Sequence, residues 1–261
     1  MNPYEQPINH GIALKTIWRK ECVRFLRIWV QTLVPPAITI SLYFLIFGTL
    51  IGQRIGEMNG FSYMEFIVPG LIMMSLITNS YANVSSSFFS SKFQKNIEEM
   101  LVAPVPHWVI IMGYVGGGVT RALLVACIVT FVASFFVQLQ FHNVGVIALT
   151  AVLTASLFSL CGMINAVFAK TFDDISIVPT FVLTPLTYLG GVFYSVSLLP
   201  EVWQWISKAN PIVYMVNAFR YGFLGVADVP LSLALGMLVF LNIIAVTVAY
   251  HLVSKGIGLR S

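Results

Sequence analysis

Charge is what this sequence has least of. Only 9% of its 261 residues are Asp, Glu, Lys or Arg, while 58% are hydrophobic. Soluble domains run at about 25% charged and roughly 45–50% apolar. So little charge cannot cover a water-facing surface of this size, which excludes an ordinary soluble domain and makes lipid the solvent. The formal net charge is +4. Its basic residues gather at the edges of apolar runs rather than on one face, so no nucleic-acid partner is expected.

Other absences narrow the chemistry. Cys22, Cys127 and Cys161 are widely spaced, with no zinc or redox pairing, and His10, His107, His142 and His251 are scattered. No metal site is expected. No Gly-x-x-x-x-Gly-Lys-Ser/Thr occurs, and no lysine follows a glycine anywhere. The chain therefore cannot cradle ATP in a P-loop. Paired acids inside apolar runs, which an ion-coupled carrier would want, are missing. A clustered His, Asp or Glu site for a lipid-acting enzyme is missing too. The first long apolar run begins only after Arg27, too late for a cleavable signal peptide, so the first span itself is expected to direct insertion.

What the chain does have is repeated apolar length. A helix needs about 20 apolar residues to cross a bilayer. Residues 28–53, 66–91, 122–169, 175–200 and 229–254 carry no charge. The run 122–169 is long enough for two crossings and breaks at the polar cluster 138–143. The expected fold is an all-α integral membrane domain, 1–261, with six spans near 30–52, 62–90, 108–137, 144–168, 176–194 and 229–253. With the amino terminus inside, cytoplasmic segments hold Lys15, Arg19, Lys20, Arg24, Arg27, Lys92, Lys95, Lys170, Lys255 and Arg260. Outer segments hold Arg54, Lys208 and Arg220. This positive-inside bias puts both termini in the cytoplasm.

Three segments between the spans carry further signals. Residues 12–29 read as an interfacial amphipathic helix, with Leu14, Trp18, Cys22, Phe25 and Trp29 on one arc and Lys20, Arg24 and Arg27 opposite. Residues 92–102 read as a short cytoplasmic helix ended by Pro104 and Pro106. It is either a docking surface or a plain solvated connector. Residues 195–227 are too polar to span and too aromatic for a solvated loop. They read as two short helices broken at Asn210-Pro211, dipping into the outer leaflet.

Four local patterns, in this order, resemble the type 2 family of ABC-transporter permeases, the exporters with the G-type fold. They are Phe61-Ser-Tyr-Met-Glu-Phe-Ile-Val-Pro-Gly-Leu71 and Asn96-Ile-Glu-Glu-Met-Leu-Val-Ala-Pro104. Then come Gly190-Gly-Val-Phe193 with Leu199-Pro200, and Asn210-Pro-Ile-Val-Tyr-Met-Val-Asn-Ala-Phe-Arg220. The resemblance runs the whole chain and is closest to the YadH-type group of bacterial inner-membrane permeases, related to drug-resistance permeases. Family members often carry an acid where this chain has Asn217, which puts in doubt an acid–base role there.

The resemblance implies a permease, not an enzyme, paired with a second permease copy and with a separate ATPase subunit that binds ATP and magnesium. It implies export of an amphipathic or lipid-like substrate from the cytoplasmic membrane; an ATP-independent channel or secondary carrier is the alternative reading. Glu98 and Glu99 lead the candidates for the ATPase contact, with Lys95 and Pro104 beside them. Asn210, Pro211 and Arg220 are the candidates for an outer gate. No cofactor of its own is expected.

Within the spans, Arg121 is the one deep basic residue. It is expected to hydrogen-bond Asn79 or Asn83 across spans two and three, with Gly116, Gly117 and Gly118 allowing close approach. Attraction of an anionic headgroup is the second reading. Gly48, Gly52 and Gly56 fall at four-residue intervals that suit a close helix contact. Pro35-Pro36, Pro179 and Pro185 are expected to bend their spans. Glu65 and Arg220 are expected to reach the membrane interface. Asp173 and Asp174 are expected in a solvated loop.

Overall fold

A computed structural model describes residues 9–259, apart from the side chains of residues 49–51 and 53; Arg260 of the basic tail lies outside the described residues. Its long helices are α1 (His10–Arg27), α2 (Trp29–Tyr43), α4 (Tyr63–Phe93), α6 (His107–Ala133), α7 (Val144–Phe168) and α12 (Leu231–Lys255). A π-helical stretch, Phe44–Ile51, continues α2 into α3 (Gly52–Ile55). A two-residue hairpin, β1 (Glu57–Met58) with β2 (Phe61–Ser62), then turns the chain into α4. The start of α4 is fixed by a capping box. Ser62 Oγ accepts from the Glu65 amide, and Glu65 Oε2 accepts from the Ser62 amide at 2.9 Å. Glu65 therefore caps the helix from its exposed first turn.

Among the described residues, five helical stretches are long and apolar enough to cross a membrane: Trp29–Gly48, α4, α6, α7 and α12. The remaining apolar run is helical only over α8 (Asp174–Val178), a π turn (Pro179–Leu183) and α9 (Thr184–Tyr188). It stops short of the expected residue 194 because Gly191 takes a left-handed φ of +72°. α6 likewise ends at Ala133 rather than 137. Pro35 and Pro36 lie within the regular helix α2, Pro36 eight residues before the first π stretch, whereas the second begins at Pro179, which has no amide donor for the helical ladder.

In lipid, burial of apolar area does not drive helices together; close approach and hydrogen bonding do. α4 shows both. It is the central helix, buried along most of its length, and it packs on α6 and α7. Gly162 of α7 lets the helices meet: a Cβ there would stand 2.5 Å from the Tyr81 carbonyl oxygen. Several span hydroxyls are satisfied within their own helices. Thr78, Ser80, Ser86 and Thr130 each donate to the carbonyl four residues back.

The connectors sort into two ends. At one, Lys92 Nζ donates to the carbonyls of Val167 and Ala169 at 2.6 and 2.8 Å, and Phe172 packs edge-on against Phe89. Lys92 thus neutralises the negative carboxyl end of α7. His107 meets Tyr250 there. At the other end, the His142 and Asn143 amides bond the carbonyls of Phe223 and Gly222. α10 (Glu201–Ala209) and α11 (Pro211–Leu224) also lie at this second end, joined at Asn210. Lys92, Lys95, Lys170 and Lys255 all belong to the first end.

Two further sequence expectations change. Gly56 has left the helix, with φ +77°, so Gly48, Gly52 and Gly56 share no helix face. Gly48 instead faces Met64 of the same chain. The expected helix 92–102 is two helices: α4 runs to Phe93, and α5 (Asn96–Val102) starts after Lys95, whose φ is +62°.

Candidate functional site

Two groups of expected site residues sit in ordered surroundings, and a third is surface. At the first end, α5 is anchored by the buried Ile97, while Glu99, Val102 and Pro104 are exposed. Ala103 takes an extended backbone and ends the helix before Pro104, as the pre-proline restriction requires. Asp174, at the tip of the neighbouring connector, accepts from the Lys170 and Thr171 amides at 2.8 and 3.0 Å. Those bonds hold its carboxyl below the ordinary value.

The second group lies mid-way along α4 and α6. Arg121 donates from Nη2 to Asn79 Oδ1 at 3.2 Å and from Nη1 to Asn83 Oδ1 at 3.4 Å. Asn83 Oδ1 also accepts from Arg24 Nη2 at 2.8 Å, and the Asn83 carbonyl accepts a second bond from that nitrogen. Arg24 pairs with Glu21 at 3.3 Å, and Glu21 Oε1 accepts from Ser87 Oγ at 2.7 Å. Glu21, Ser87 and Asn83 are fully or almost fully buried. The residues therefore form one chain, Ser87–Glu21–Arg24–Asn83–Arg121–Asn79.

This network corrects the expected face of the first helix. α1 lies along the first half of α6, parallel to it: Ile17 meets Gly113, Trp18 meets Gly116 and Glu21 meets Gly117. Its buried stripe carries Glu21 and Phe25, and Arg24 turns toward the bundle rather than toward headgroups. Trp18 and Trp29 stay exposed, Trp18 donating to Thr120 Oγ1 at 3.0 Å. Gly116 and Gly117 thus make room for α1, and only Gly118 faces Val84 of α4. The missed signal was Glu21. It is the one acid on an otherwise basic helix, three residues before Arg24, a spacing that brings side chains together.

At the second end, Asn210 Oδ1 accepts from the Ile212 amide, and Pro211 opens α11, where a missing amide costs nothing. Arg220 does not reach the interface. It is 1% exposed, its guanidinium lies 3.8 Å from the Phe66 ring centroid, and Nη2 donates to the Gly191 carbonyl at 2.6 Å. Asp228, which the sequence did not single out, ties the neighbouring turns together. It accepts from Ser195 Oγ and the Val196 amide, while its own amide donates to Asn217 Oδ1 at 2.7 Å. The buried Asn217 side chain thus serves as the acceptor for a backbone amide. Among the described residues, no group of His, Cys, Asp and Glu could hold a metal ion.

Against known proteins, the family model described as ABC-2 type transporter matches residues 12–224. The inner membrane transport permease YadH of Escherichia coli K12 is 66% identical over 252 residues, 97% of this chain and 98% of its own length. Nodulation protein J of Rhizobium leguminosarum bv. viciae is 24% identical over 233 residues, 87% of this chain and 88% of that protein. Nodulation protein J of Rhizobium meliloti is 24% identical over 227 residues, 85% of each.

Proposed function

This chain belongs to the ABC-2 type transporter family, and on that premise we propose that it is the membrane-spanning permease subunit of an ATP-binding-cassette transporter, powered by a separate ATPase polypeptide. One observation carries the reading. α5 is a short helix with an exposed carboxylate, anchored between the two helices α4 and α6 at the basic end, in a chain without a P-loop. An ATPase pressed on that helix has a rigid lever into both neighbours. Lys95, Glu98, Glu99 and Pro104 form its contact surface.

In this reading the segment 176–194, helical as far as Tyr188, is the fifth of six crossings, and both termini lie at the basic end, which faces the cytoplasm. The name of the 66% identical relative supports a bacterial inner membrane. α10 and α11 form a pair re-entering the outer leaflet, with Asn210, Pro211 and Arg220 at its gate. A second permease copy completes the pathway, and the cargo leaving the cytoplasm is amphipathic or lipid-like. ATP and magnesium are bound by the partner, so this subunit carries no cofactor and catalyses no reaction itself.

The test is reconstitution with a P-loop ATPase that co-purifies with this chain. ATP turnover should depend on this chain. Reversing both Glu98 and Glu99 to lysine should leave insertion intact and uncouple turnover from cargo movement. An ATPase indifferent to the chain, or cargo that moves equally without ATP, overturns the reading.

A further inference from the structure

Between α2 and α4 lies a cavity of about 340 Å³, open on one side and floored by Arg121. Gln31, Thr39, Thr78 and Asn79 give it polar walls, and Pro36 and Ile40 give it apolar ones. Its depth is that of the middle of α6, since Arg121 stands half-way between His107 and Ala133.

The charges around it do not balance. Glu21 is the single carboxylate of the network, and Arg24 takes it at 3.3 Å. Arg121 has only the neutral oxygens of Asn79 and Asn83, and among the described residues no carboxylate pairs with it. A part-buried guanidinium held by amide oxygens alone keeps an uncompensated positive charge. Helix contact by itself does not require that charge, because serine and asparagine supply hydrogen bonds between spans without it. The planar fork of arginine matches phosphate and carboxylate oxygens.

We propose that this cavity takes the phosphate or carboxylate headgroup of an anionic amphiphile, bound by Arg121, with the apolar tail against Pro36 and Ile40 on α2. Its being a cargo site rests on the permease reading; the binding itself does not. Asn79 and Asn83 hold the guanidinium in place and leave it facing the cavity. Arg24, committed to Glu21, supplies long-range attraction and no direct contact.

The experiment uses the purified full chain in neutral maltoside detergent, without ATPase or ATP. Binding of dodecyl phosphate, inorganic phosphate and the neutral dodecyl glucoside is titrated by native mass spectrometry. Dodecyl phosphate should bind, and the other two at least about tenfold more weakly, a difference of roughly 1.4 kcal/mol. Arg121→Gln should weaken dodecyl phosphate about tenfold or more, and Arg121→Lys should recover part of the loss. If Arg121→Gln fails to fold, Thr78→Leu decides. It fills the cavity and gives up only a bond within its own helix, and it should weaken binding similarly.

Inorganic phosphate binding as tightly as dodecyl phosphate overturns the amphiphile. Equal affinities for wild type and Thr78→Leu overturn the site. Either result leaves ATPase dependence, and with it the permease reading, to be judged separately.

Discussion

Arg24 and Arg121, from helices that enter the sequence almost a hundred residues apart, converge on a single oxygen, Asn83 Oδ1, at 2.8 and 3.4 Å. Two like charges tolerate this approach because Glu21, fully buried, sits on the far side of Arg24. The arrangement fastens α1 to α4 and to α6 at one point, so movement of the amino-terminal helix and of the spans is mechanically shared.

Replacing Asn83 by leucine should therefore take one side-chain acceptor from both guanidiniums at once. Leaving a buried hydrogen-bonding group without its partner costs about 1–3 kcal/mol. Thermal unfolding in detergent should show a large loss of stability. Asn83→Asp should do the reverse: the added carboxylate neutralises the excess positive charge, keeping or raising the melting temperature while suppressing dodecyl phosphate binding. A destabilised Asn83→Asp protein would mean that the node does not carry surplus positive charge.

Gly117 is the closest approach of α6 to α1, where an added Cβ would collide with the Glu21 side chain. Gly117→Val should overpack this contact at about 1–3 kcal/mol. α1 should lift from α6 and break the Glu21–Ser87 bond. Cys22, half-buried on α1, should then react faster with a maleimide. Unchanged labelling with a folded protein would show that α1 is held elsewhere.

Lys95 carries a φ of +62°, in the left-handed region that costs an ordinary side chain about 1–2 kcal/mol. The sharp break between α4 and α5 depends on it. Lys95→Gly should keep the break and the aim of α5, whereas Lys95→Val, branched at Cβ, should straighten or melt it. ATP turnover in the reconstituted complex should survive the first change and fall with the second. Equal turnover in both would detach the α5 geometry from coupling.

Arg220 is buried with its flat face on Phe66 and a bond to the Gly191 carbonyl. Lysine cannot make both contacts, because its ammonium is a point charge. Arg220→Lys should cost about 1–3 kcal/mol in unfolding measurements, combining a lost stacking term with a weakened charge-assisted bond. A neutral outcome would place Arg220 outside the set of residues that hold the turn at Gly190–Gly191.

The sequence by itself determined the membrane class, because charge this sparse admits no water-facing surface, and it determined most helix limits through charge-free runs and proline. It also led to Arg121 with Asn79 and Asn83, since depth along two antiparallel spans can be counted. Tertiary structure decided what counting could not. Arg24 turned inward because Asn83, far away in the chain, offered a second partner beside the neighbouring Glu21. Arg220 was buried because Phe66 and Gly191 meet over it. The fifth apolar run stopped early because Gly191 adopts a left-handed turn. Periodicity measures which residues share a face; only packing decides what that face meets.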